Sequence, residues 1–299
     1  MFALKPKFYN KELAFFDKQQ NIPNSVYETI NSQLQNLSRD TPLVSIVIAA
    51  WNEEVNIIKC VDSLSKQETD TSFEIIVVDN NSDDETKVTL ENLNVKYLFQ
   101  RIQGCGPARQ LGQENAFGKY ILLADADCIY PPLWVEMMTK ELMKDGVACV
   151  YGNYSFMTDS YSQKIGMIIY ELMRNIISRI RHFNRPFVNC LGMSMGYVKE
   201  YGLEIGYIDR NIRGDDGRLA YSLMKYGKIK RVFHRKTTVW TGYRTLVRKG
   251  TLANAFYSRL KNEFKNIKNY FHEIEDHDPK STMSENNPSA HLAKKNNAS

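Results

Sequence analysis

Two aspartates stand one residue apart at the end of an apolar run. Asp125 and Asp127 follow residues 120–124, which have the composition of a buried strand. Because alternate positions of a strand point the same way, we expect both carboxylates on one side of its carboxyl end, where open α/β sheets bind ligands. A divalent cation there would balance both charges. The alternative is a helix N-cap and a solvated loop, since Pro131 and Pro132 open a helical pattern.

Polar side chains also follow two other apolar runs, residues 43–50 and 73–78. They are Asn52, Glu53 and Glu54 after the first run and Asp79 after the second. The first loop lacks both the G-x-G-x-x-G fingerprint and the G-K-[ST] of a P-loop. Carboxylates and amides suit the hydroxyls and imide of a nucleoside better than its phosphates. The phosphates would then need the metal, together with Arg109.

A second acid pair, Asp215 and Asp216, precedes an apolar stripe at i, i+4 and i+7. This spacing predicts a helix that begins at the pair. The positive end of the helix dipole favours the ionised form, so a carboxylate there is available at neutral pH to accept a proton. The alternative is that the two aspartates only cap the helix.

Strand patterns alternate with helical patterns from residue 43 to residue 151. The strand-like runs are residues 43–50, 73–78, 95–99, 120–125 and 147–151, and two more follow at 229–234 and 237–240. This alternation predicts an α/β fold, with a Rossmann-type, mostly parallel sheet flanked by helices. Residues 1–42 are interpreted as an N-terminal extension. Residues 251–299 are interpreted as a C-terminal helix and a disordered tail.

Composition narrows the class of protein. The 299 residues are 43% hydrophobic, enough for one large core, and the net charge of +5 suits diphosphates or membrane phospholipid rather than nucleic acid. Five cysteines without a C-x-x-C spacing indicate neither a disulfide framework nor a zinc site. The start lacks the apolar stretch of a signal peptide, and no run approaches the ~20 apolar residues of a membrane span. We therefore expect a cytoplasmic protein.

Residues 161–185 predict an amphipathic helix with basic residues near its far end. Its apolar face contains Ile165, Ile168, Ile169, Leu172, Ile176 and Ile177, and its basic residues are Arg174, Arg179, Arg181, His182 and Arg185. Such a helix suits peripheral contact with the inner face of a membrane, where a lipid-linked acceptor would be found. The alternative is a helix that packs on the sheet or on a partner subunit in an oligomer.

Five segments together resemble the ordered motif series of the family 2 inverting glycosyltransferases, which have a GT-A fold. They are residues 47–54, 77–84, 106–112, 123–127 and 214–216, and the resemblance extends from about residue 43 to residue 250. It implies a nucleotide-sugar-binding half at 43–128 and an acceptor half at 129–250. Residues 188–196 resemble the family's strand on the acceptor side.

The resemblance also implies the role of each matching residue. A nucleoside diphosphate sugar, with UDP favoured, would be bound by Ala50, Asn52, Glu53, Glu54, Asp79, Arg109, Asp125 and Ala126. Independently of the resemblance, Arg244 and Arg248 are four apart at a predicted helix start and share a face that could hold the diphosphate; the alternative is two solvated arginines. Asp125 and Asp127 match the positions that hold Mn²⁺ or Mg²⁺, and Asp216 matches the second acid of the family's E-D motif, the catalytic base. Gln110 stands where asparagine is usual, which leaves the base of the nucleotide open. His234 is either a third metal ligand or a core or surface group.

These observations predict inverting, metal-dependent sugar transfer to a glycan or lipid-linked acceptor in the synthesis of a cell-surface glycan or glycolipid. The Q-x-x-R-W signature of processive synthases is missing, so we expect one sugar per encounter. A sugar nucleotidyltransferase is an alternative, although it would need a glycine-rich, basic loop after the first strand. A non-catalytic sugar-nucleotide-binding protein is another, and the acids at 125, 127 and 216 argue against it.

Overall fold

The structure is a computed structural model that describes residues 5–37, 41–158, 161–242 and 284–285. The described strands are β1 (Val44–Ala50), β2 (Phe73–Asp79), β3 (Lys96–Phe99), β4 (Tyr120–Asp125), β5 (Cys128–Ile129), β6 (Val147–Tyr151), β7 (Tyr154–Phe156), β8 (Met195–Val198), β9 (Ile212–Arg213), β10 (Lys228–Arg231), β11 (Val239–Thr241) and β12 (Ser284–Glu285). The described helices are α1 (Asn24–Leu37), α2 (Asn56–Leu64), α3 (Thr86–Glu91), α4 (Cys105–Glu114), α5 (Trp134–Leu142), α6 (Tyr161–Asn184), α7 (Lys199–Ile205) and α8 (Asp215–Leu223).

Seven strands form the central sheet in the order β10-β6-β8-β4-β1-β2-β3. β1 runs parallel to β2 and β4, β2 runs parallel to β3, and β10 runs parallel to β6. The mostly parallel sheet expected from the sequence is therefore confirmed, and β8 is its antiparallel member, between β4 and β6. The register sets Ala50 beside Asp79 and Ala49 beside Asp125, so the polar strand ends meet at one edge.

The central strands are buried on both faces, which explains their nearly continuous apolar sequences. In β1, Ile46 and Ile48 belong to a core shared with α1, α2 and α5, whereas Val47 points to a second core shared with α4 and α8. The two cores make a three-layer arrangement of helices, sheet and helices. A smaller sheet in the order β5-β11-β7 adjoins β4 through β5, and β12 pairs with β9.

The N-terminal segment packs on the first of these cores. Leu13, Ile22, Tyr27, Ile30 and Leu34 are buried in the same apolar cluster as the β1 side chains. The Asn31 side chain in α1 also donates to the Asn92 carbonyl at 2.9 Å and accepts from the Asn94 N–H at 2.7 Å. The residues interpreted as an extension are thus continuous with the main core.

Two regions of the acceptor half differ from the sequence interpretation. Residues 188–196 were expected as a strand, but this is wrong for the first part, which forms the 3-10 turns Pro186–Asn189 and Gly192–Ser194 before β8 begins. The run at 237–240 is also displaced, because Arg235–Thr237 is a 3-10 turn and β11 starts at Val239. In the first region, Pro186, Asn189, Gly192 and Ser194 are residue types that favour turns over a strand ladder.

Helix α6 occupies the predicted segment but turns only part of its apolar surface inward. Met167, Tyr170 and Ile177 are buried, and they pack toward β7 and the turn at 186–189. Four of the expected apolar side chains are more than half exposed instead: Ile165, Ile169, Leu172 and Ile176. Among the described residues, no helix combines the length and hydropathy needed to cross a bilayer.

Candidate active site

An arginine between two aspartates forms the centre of the site. Arg109, which is buried on α4, donates from Nη2 to Asp125 Oδ1 at 3.1 Å and from Nη1 to Asp216 Oδ1. Asp125 ends β4 and Asp216 lies in the first turn of α8, 91 positions later in the chain. A guanidinium has a planar set of donors that can hold two carboxylates at a fixed separation.

A glycine completes the support of Asp216. The backbone N–H of Gly192 donates to Asp216 Oδ2 at 2.9 Å, so both carboxylate oxygens are fixed. A Cβ at position 192 would lie 1.9 Å from Arg109 Nη2. Only glycine therefore lets the turn at Gly192–Ser194 approach the arginine closely enough for this bond.

Asp125 lies beside several charges and is only partly exposed to solvent. Burial raises the pKa of its carboxyl to about 6 against the opposing attraction of Arg109, and Asp127 and Asp216 add to the rise. Its backbone N–H donates to Tyr130 Oη at 2.8 Å, and Tyr130 donates in turn to the Met193 carbonyl at 3.0 Å. Tyr130 thus connects the end of β4 to the same turn that holds Asp216.

Asp125, Asp127 and Cys128 offer a set of donor atoms that could hold a metal ion. One atom from each lies within 4.8 Å of the others. Burial raises the pKa of the Cys128 thiol, with Asp127 and Asp125 adding to the effect, so it stays protonated at neutral pH. Within the described part of the chain, no cation pairs with Asp127. Two carboxylates with surplus negative charge fit a hard, oxygen-preferring ion such as Mn²⁺ or Mg²⁺.

The adjacent acids of α8 have different environments. Asp215 is buried, and it accepts from the Ile208 N–H at 2.9 Å and from Arg218 Nε at 2.5 Å. Asp216 faces Arg109 and the Gly192 N–H instead. Gly214 occupies the N-cap position, and neither aspartate side chain caps the helix. The capping alternative therefore does not describe these contacts.

The first two loops are connected to each other by their own side chains. Asn52 has a positive φ of 55°, and its side chain bonds Asp83, while Asp79 Oδ1 accepts from the Ser82 N–H at 3.1 Å. The backbone N–H groups of Glu53 and Glu54 donate to the side chains of Thr86 (2.9 Å) and Asp84 (3.3 Å). These bonds hold the loops after β1 and β2 side by side at the edge of the sheet.

The remaining expected site residues are Ala50, Ala126, Arg244 and His234. Ala50 and Ala126 are buried at the edge, with Ala50 paired in register to Asp79. Arg244 lies outside the described residues. His234 Nδ1 accepts from the Lys236 N–H at 3.1 Å, and the acid cluster of the described chain includes no histidine, so the third-ligand interpretation gains no support.

Two residues of the site, Tyr130 and Asn80, had no role of their own in the sequence interpretation, whereas Gly192 lies in the segment 188–196 assigned to the acceptor side. Asn80 is buried, donates to the Ile102 carbonyl at 2.7 Å and accepts from the Gly104 N–H at 2.6 Å. Asn80 thereby connects the end of β2 to the loop that starts α4, the helix that carries Arg109. A tyrosine and an asparagine are common outside functional sites, so their residue types alone gave no signal.

A model of the family described as "Glycosyl transferase family 2" matches residues 45–201, more than half of the chain. The chain belongs to this family. This family 2 glycosyltransferase is 33% identical to the glycosyltransferase AglE of Haloferax volcanii over 122 residues, which are 38% of this chain and 40% of that protein. It is 29% identical over 125 residues to WfgD of Escherichia coli, described as "UDP-Glc:alpha-D-GlcNAc-diphosphoundecaprenol beta-1,3-glucosyltransferase", with 40% of this chain and 49% of that protein covered.

The family 2 glycosyltransferase thus spans less than half of the length of these two relatives. Among solved structures it is similar to the mannosyltransferase PcManGT of Pyrobaculum calidifontis, solved with GDP-Man and Mn²⁺, with a TM-score of 0.52 and 14% identity over 86% of this chain and 78% of that one. The likeness confirms the predicted GT-A fold. The expected enzyme class, a glycosyltransferase, is confirmed by family membership.

Proposed function

We propose that this glycosyltransferase moves a sugar from a nucleoside diphosphate donor to an acceptor hydroxyl, with inversion and with the help of a divalent cation. One observation carries the proposal. Arg109 bonds both Asp125 and Asp216, which belong to different elements, and Asp127 lies beside Asp125 at the carboxyl edge of the sheet. Such an edge is where open α/β sheets bind their ligands.

The donor would lie over the loops after β1 and β2. Asp79, Asn52, Glu53 and Glu54 would recognise the nucleoside, next to Ala50 and Ala126, whose small side chains leave room at the edge. We favour a UDP-sugar, in keeping with the UDP-Glc in the description of WfgD. Because the mannosyltransferase structure contains GDP-Man, GDP is the nucleotide to compare with UDP. Direct contacts from Arg109 and Arg244 to the diphosphate remain predictions.

Asp125 and Asp127 would hold the cation, as Mn²⁺ or Mg²⁺. When bound, this ion supplies positive charge that stabilises the departing nucleoside diphosphate. The surplus negative charge of the two carboxylates and the Mn²⁺ of the mannosyltransferase structure both support this assignment.

Asp216 would be the catalytic base. The acceptor hydroxyl attacks the anomeric carbon, the bond from that carbon to the diphosphate oxygen breaks, and the hydroxyl proton passes to the Asp216 carboxylate. Arg109 and the Gly192 N–H occupy one lone pair of each oxygen, which orients the group and leaves a second lone pair on each for the proton. A single displacement of this kind inverts the anomeric centre.

The acceptor would be a glycan or a lipid-linked sugar, extended by one residue per encounter in the synthesis of a cell-surface glycan. The lipid diphosphate in the description of WfgD supports this class. We place the reaction in the cytoplasm, because the five cysteines form no disulfide within the described residues, with peripheral contact at the inner face of the membrane. The exposed apolar side chains of α6 supply a surface for that contact.

A thermal-shift screen of nucleoside diphosphates tests the proposal. We expect UDP, or else GDP, to raise the melting temperature when Mn²⁺ is present and to have a much smaller effect with EDTA, because the cation links the diphosphate to the acids. The donor assignment is wrong if neither nucleotide stabilises the protein with the metal present.

A further inference from the structure

A cavity of about 320 Å³ lies under α6, beside the proposed active site. The carboxyl half of α6 forms one wall, β6, β7 and β10 form the second, and the turns between residues 186 and 194 form the third. Its volume is at the lower end of the range for small-molecule sites. No step of the proposed sugar transfer uses this cavity.

The charge of the cavity wall is strongly unbalanced. Arg174, Arg181 and Arg231 line it, and the described residues that complete the lining include no aspartate or glutamate. Glu171, one turn before Arg174, turns its carboxylate to the Ser155 hydroxyl (2.7 Å) and the Phe156 N–H (3.0 Å) instead. Arg174 and Arg231 bring two guanidiniums to a small volume whose described lining has no carboxylate, and such a pair makes a binding site for an anion with more than one charge.

Arg174 is held rigidly but has an unused donor. Its Nη2 donates to the Tyr154 carbonyl at 2.5 Å and to Asn153 Oδ1 at 3.3 Å, and its guanidinium stacks on the Tyr154 ring at 3.7 Å. Nη1 is buried and makes no hydrogen bond within the described chain. Buried polar groups nearly always have a partner, so this donor indicates that a ligand supplies the missing acceptor.

Arg231, on the edge strand β10, lines the same cavity. Its guanidinium stacks on the Phe233 ring, 4.3 Å from the ring centre. Burial lowers the pKa of Arg231, and repulsion from Arg179 and Arg174 acts in the same direction, against an opposing contribution from Tyr151. Arginine stays protonated in proteins, so this repulsion persists until an anion relieves it.

The cavity shares a wall with the catalytic centre. Leu191, Met193 and Ser194 line it, and Gly192, between them, donates to Asp216. An anion bound to the arginines would therefore lie on the opposite side of one short turn from the proposed base. This position suits a group on the acceptor rather than on the donor, whose diphosphate belongs with Asp125 and Asp127.

We propose that this cavity, the arginine cavity, binds a phosphate group carried by the acceptor substrate. The inference rests on the proposed function, because it assigns the phosphate to the acceptor of that transfer. A phosphate monoester or a diphosphate has the two or more negative charges that suit the guanidiniums of Arg174 and Arg231. The phosphate could belong to a water-soluble ester or to a lipid in a bilayer, and these two sources are separated by experiment.

The test is a calorimetric titration of glycerol 3-phosphate into the full chain, with Mn²⁺ and saturating UDP present to fill the donor site. We expect Arg231→Gln to weaken binding by about tenfold or more, and Arg231→Lys to restore part of it, because a charge-assisted bond is lost or partly kept. The matched control is Lys228→Gln, which removes the same charge from an exposed position of the same strand. It should change the affinity by less than about twofold.

A second variant covers the case in which Arg231→Gln does not fold. Arg174→Gln should also weaken glycerol 3-phosphate binding by about tenfold, because it removes the unused buried donor. Equal affinity in the parent, Arg231→Gln and Arg174→Gln proteins would overturn the proposal. An equal loss of affinity in Lys228→Gln and Arg231→Gln would also overturn it, since that result indicates that general surface charge, not the cavity, attracts the anion.

Vesicles of phosphatidylcholine containing phosphatidic acid distinguish the two sources. The phosphate is assigned to a lipid if less Arg231→Gln protein than parent protein sediments with these vesicles while Lys228→Gln sediments like the parent. Equal sedimentation of all variants, with glycerol 3-phosphate binding still dependent on Arg231, assigns it to a soluble ester. Binding of UDP with Mn²⁺ is titrated separately. If the parent protein binds glycerol 3-phosphate but not UDP with Mn²⁺, the proposed donor is wrong and the proposal for the arginine cavity is unaffected.

Discussion

Two regions of opposite charge lie on either side of the turn at Gly192–Ser194. On one side, Asp125, Asp127 and Asp216 gather at the edge of the sheet with a single arginine among them. On the other, the arginine cavity holds three guanidiniums and no acid among the described residues of its lining. The turn lies between the two sets of charges. Under the two proposals above, one side would bind a cation with a diphosphate and the other would bind an anion directly.

The two regions are also built differently. The acids of the first sit at strand ends or at a helix start, and Arg109 fixes two of them by hydrogen bonds. The arginines of the second come from the carboxyl half of α6 and from an edge strand, and aromatic rings support two of them. The difference indicates that the acid region is made by local chain geometry, whereas the cavity depends on how α6 packs against the sheet.

The largest effect is expected at Asp127. Asp127→Asn removes a charged oxygen from the proposed cation site, so transfer should fall by about 10³-fold or more and nucleotide binding should lose its metal dependence. Steady-state transfer assays and titrations of UDP with and without Mn²⁺ measure both results. Asp145→Asn, at an exposed turn, is the control and should behave like the parent. Undiminished turnover in Asp127→Asn would move the metal site elsewhere.

The two adjacent acids of α8 are expected to respond differently to the same substitution. Asp216→Asn keeps the side-chain shape, so folding and donor binding should survive while turnover falls by the ~10²–10⁴ that a general base contributes. Asp215→Asn should instead destabilise the protein by about 3 kcal/mol, because it leaves the largely buried Arg218 unpaired, with turnover per folded molecule little changed.

Melting temperature and the turnover number under saturating substrates separate these outcomes. A variant Asp216→Asn that binds donor and still turns over near the parental rate would falsify its assignment as the base.

An intermediate effect is expected at the turn between the two regions. A Cβ in Gly192→Ala would displace Arg109 and with it Asp216, so turnover should fall by about 10- to 100-fold, since a misplacement of 1 Å can cost about 10². Gly166→Ala in α6 is the matched control, because a Cβ there meets nothing within 4 Å. It should be neutral or stabilising by about 0.5–1 kcal/mol. Equal turnover in the two variants would show that the close approach at Gly192 has no catalytic importance.

The smallest effect is expected on the outer face of α6. Arg179 is exposed there beside Phe233, close to the exposed Ile176. Arg179→Ser should weaken activity on an acceptor in anionic vesicles by about fivefold, since one arginine contributes about 1 kcal/mol near such a surface. Activity on a soluble acceptor analogue should stay unchanged. An equal loss on both acceptors would favour a packing role for α6 over membrane contact.

The sequence by itself determined the sheet and the acid edge. Continuous apolar runs ending in polar residues predict buried parallel strands whose carboxyl ends coincide, and the structure has Ala50, Asp79 and Asp125 at that common edge. The start of α8 at Asp215 also followed from the spacing of its apolar residues. These features depend on periodicity and on neighbours in the chain, which a sequence displays directly.

Only the tertiary structure decided how distant parts of the chain meet. The contact of Arg109 with both Asp125 and Asp216 depends on α4 and α8 packing on the same face of the sheet. The first part of the segment expected as a strand, residues 188–196, forms turns instead, and there the Gly192 N–H bonds Asp216 rather than a neighbouring strand. The arginines of α6 likewise give no periodic signal for a cavity. Side-chain contacts across long separations depend on packing in three dimensions, and no local pattern encodes that packing.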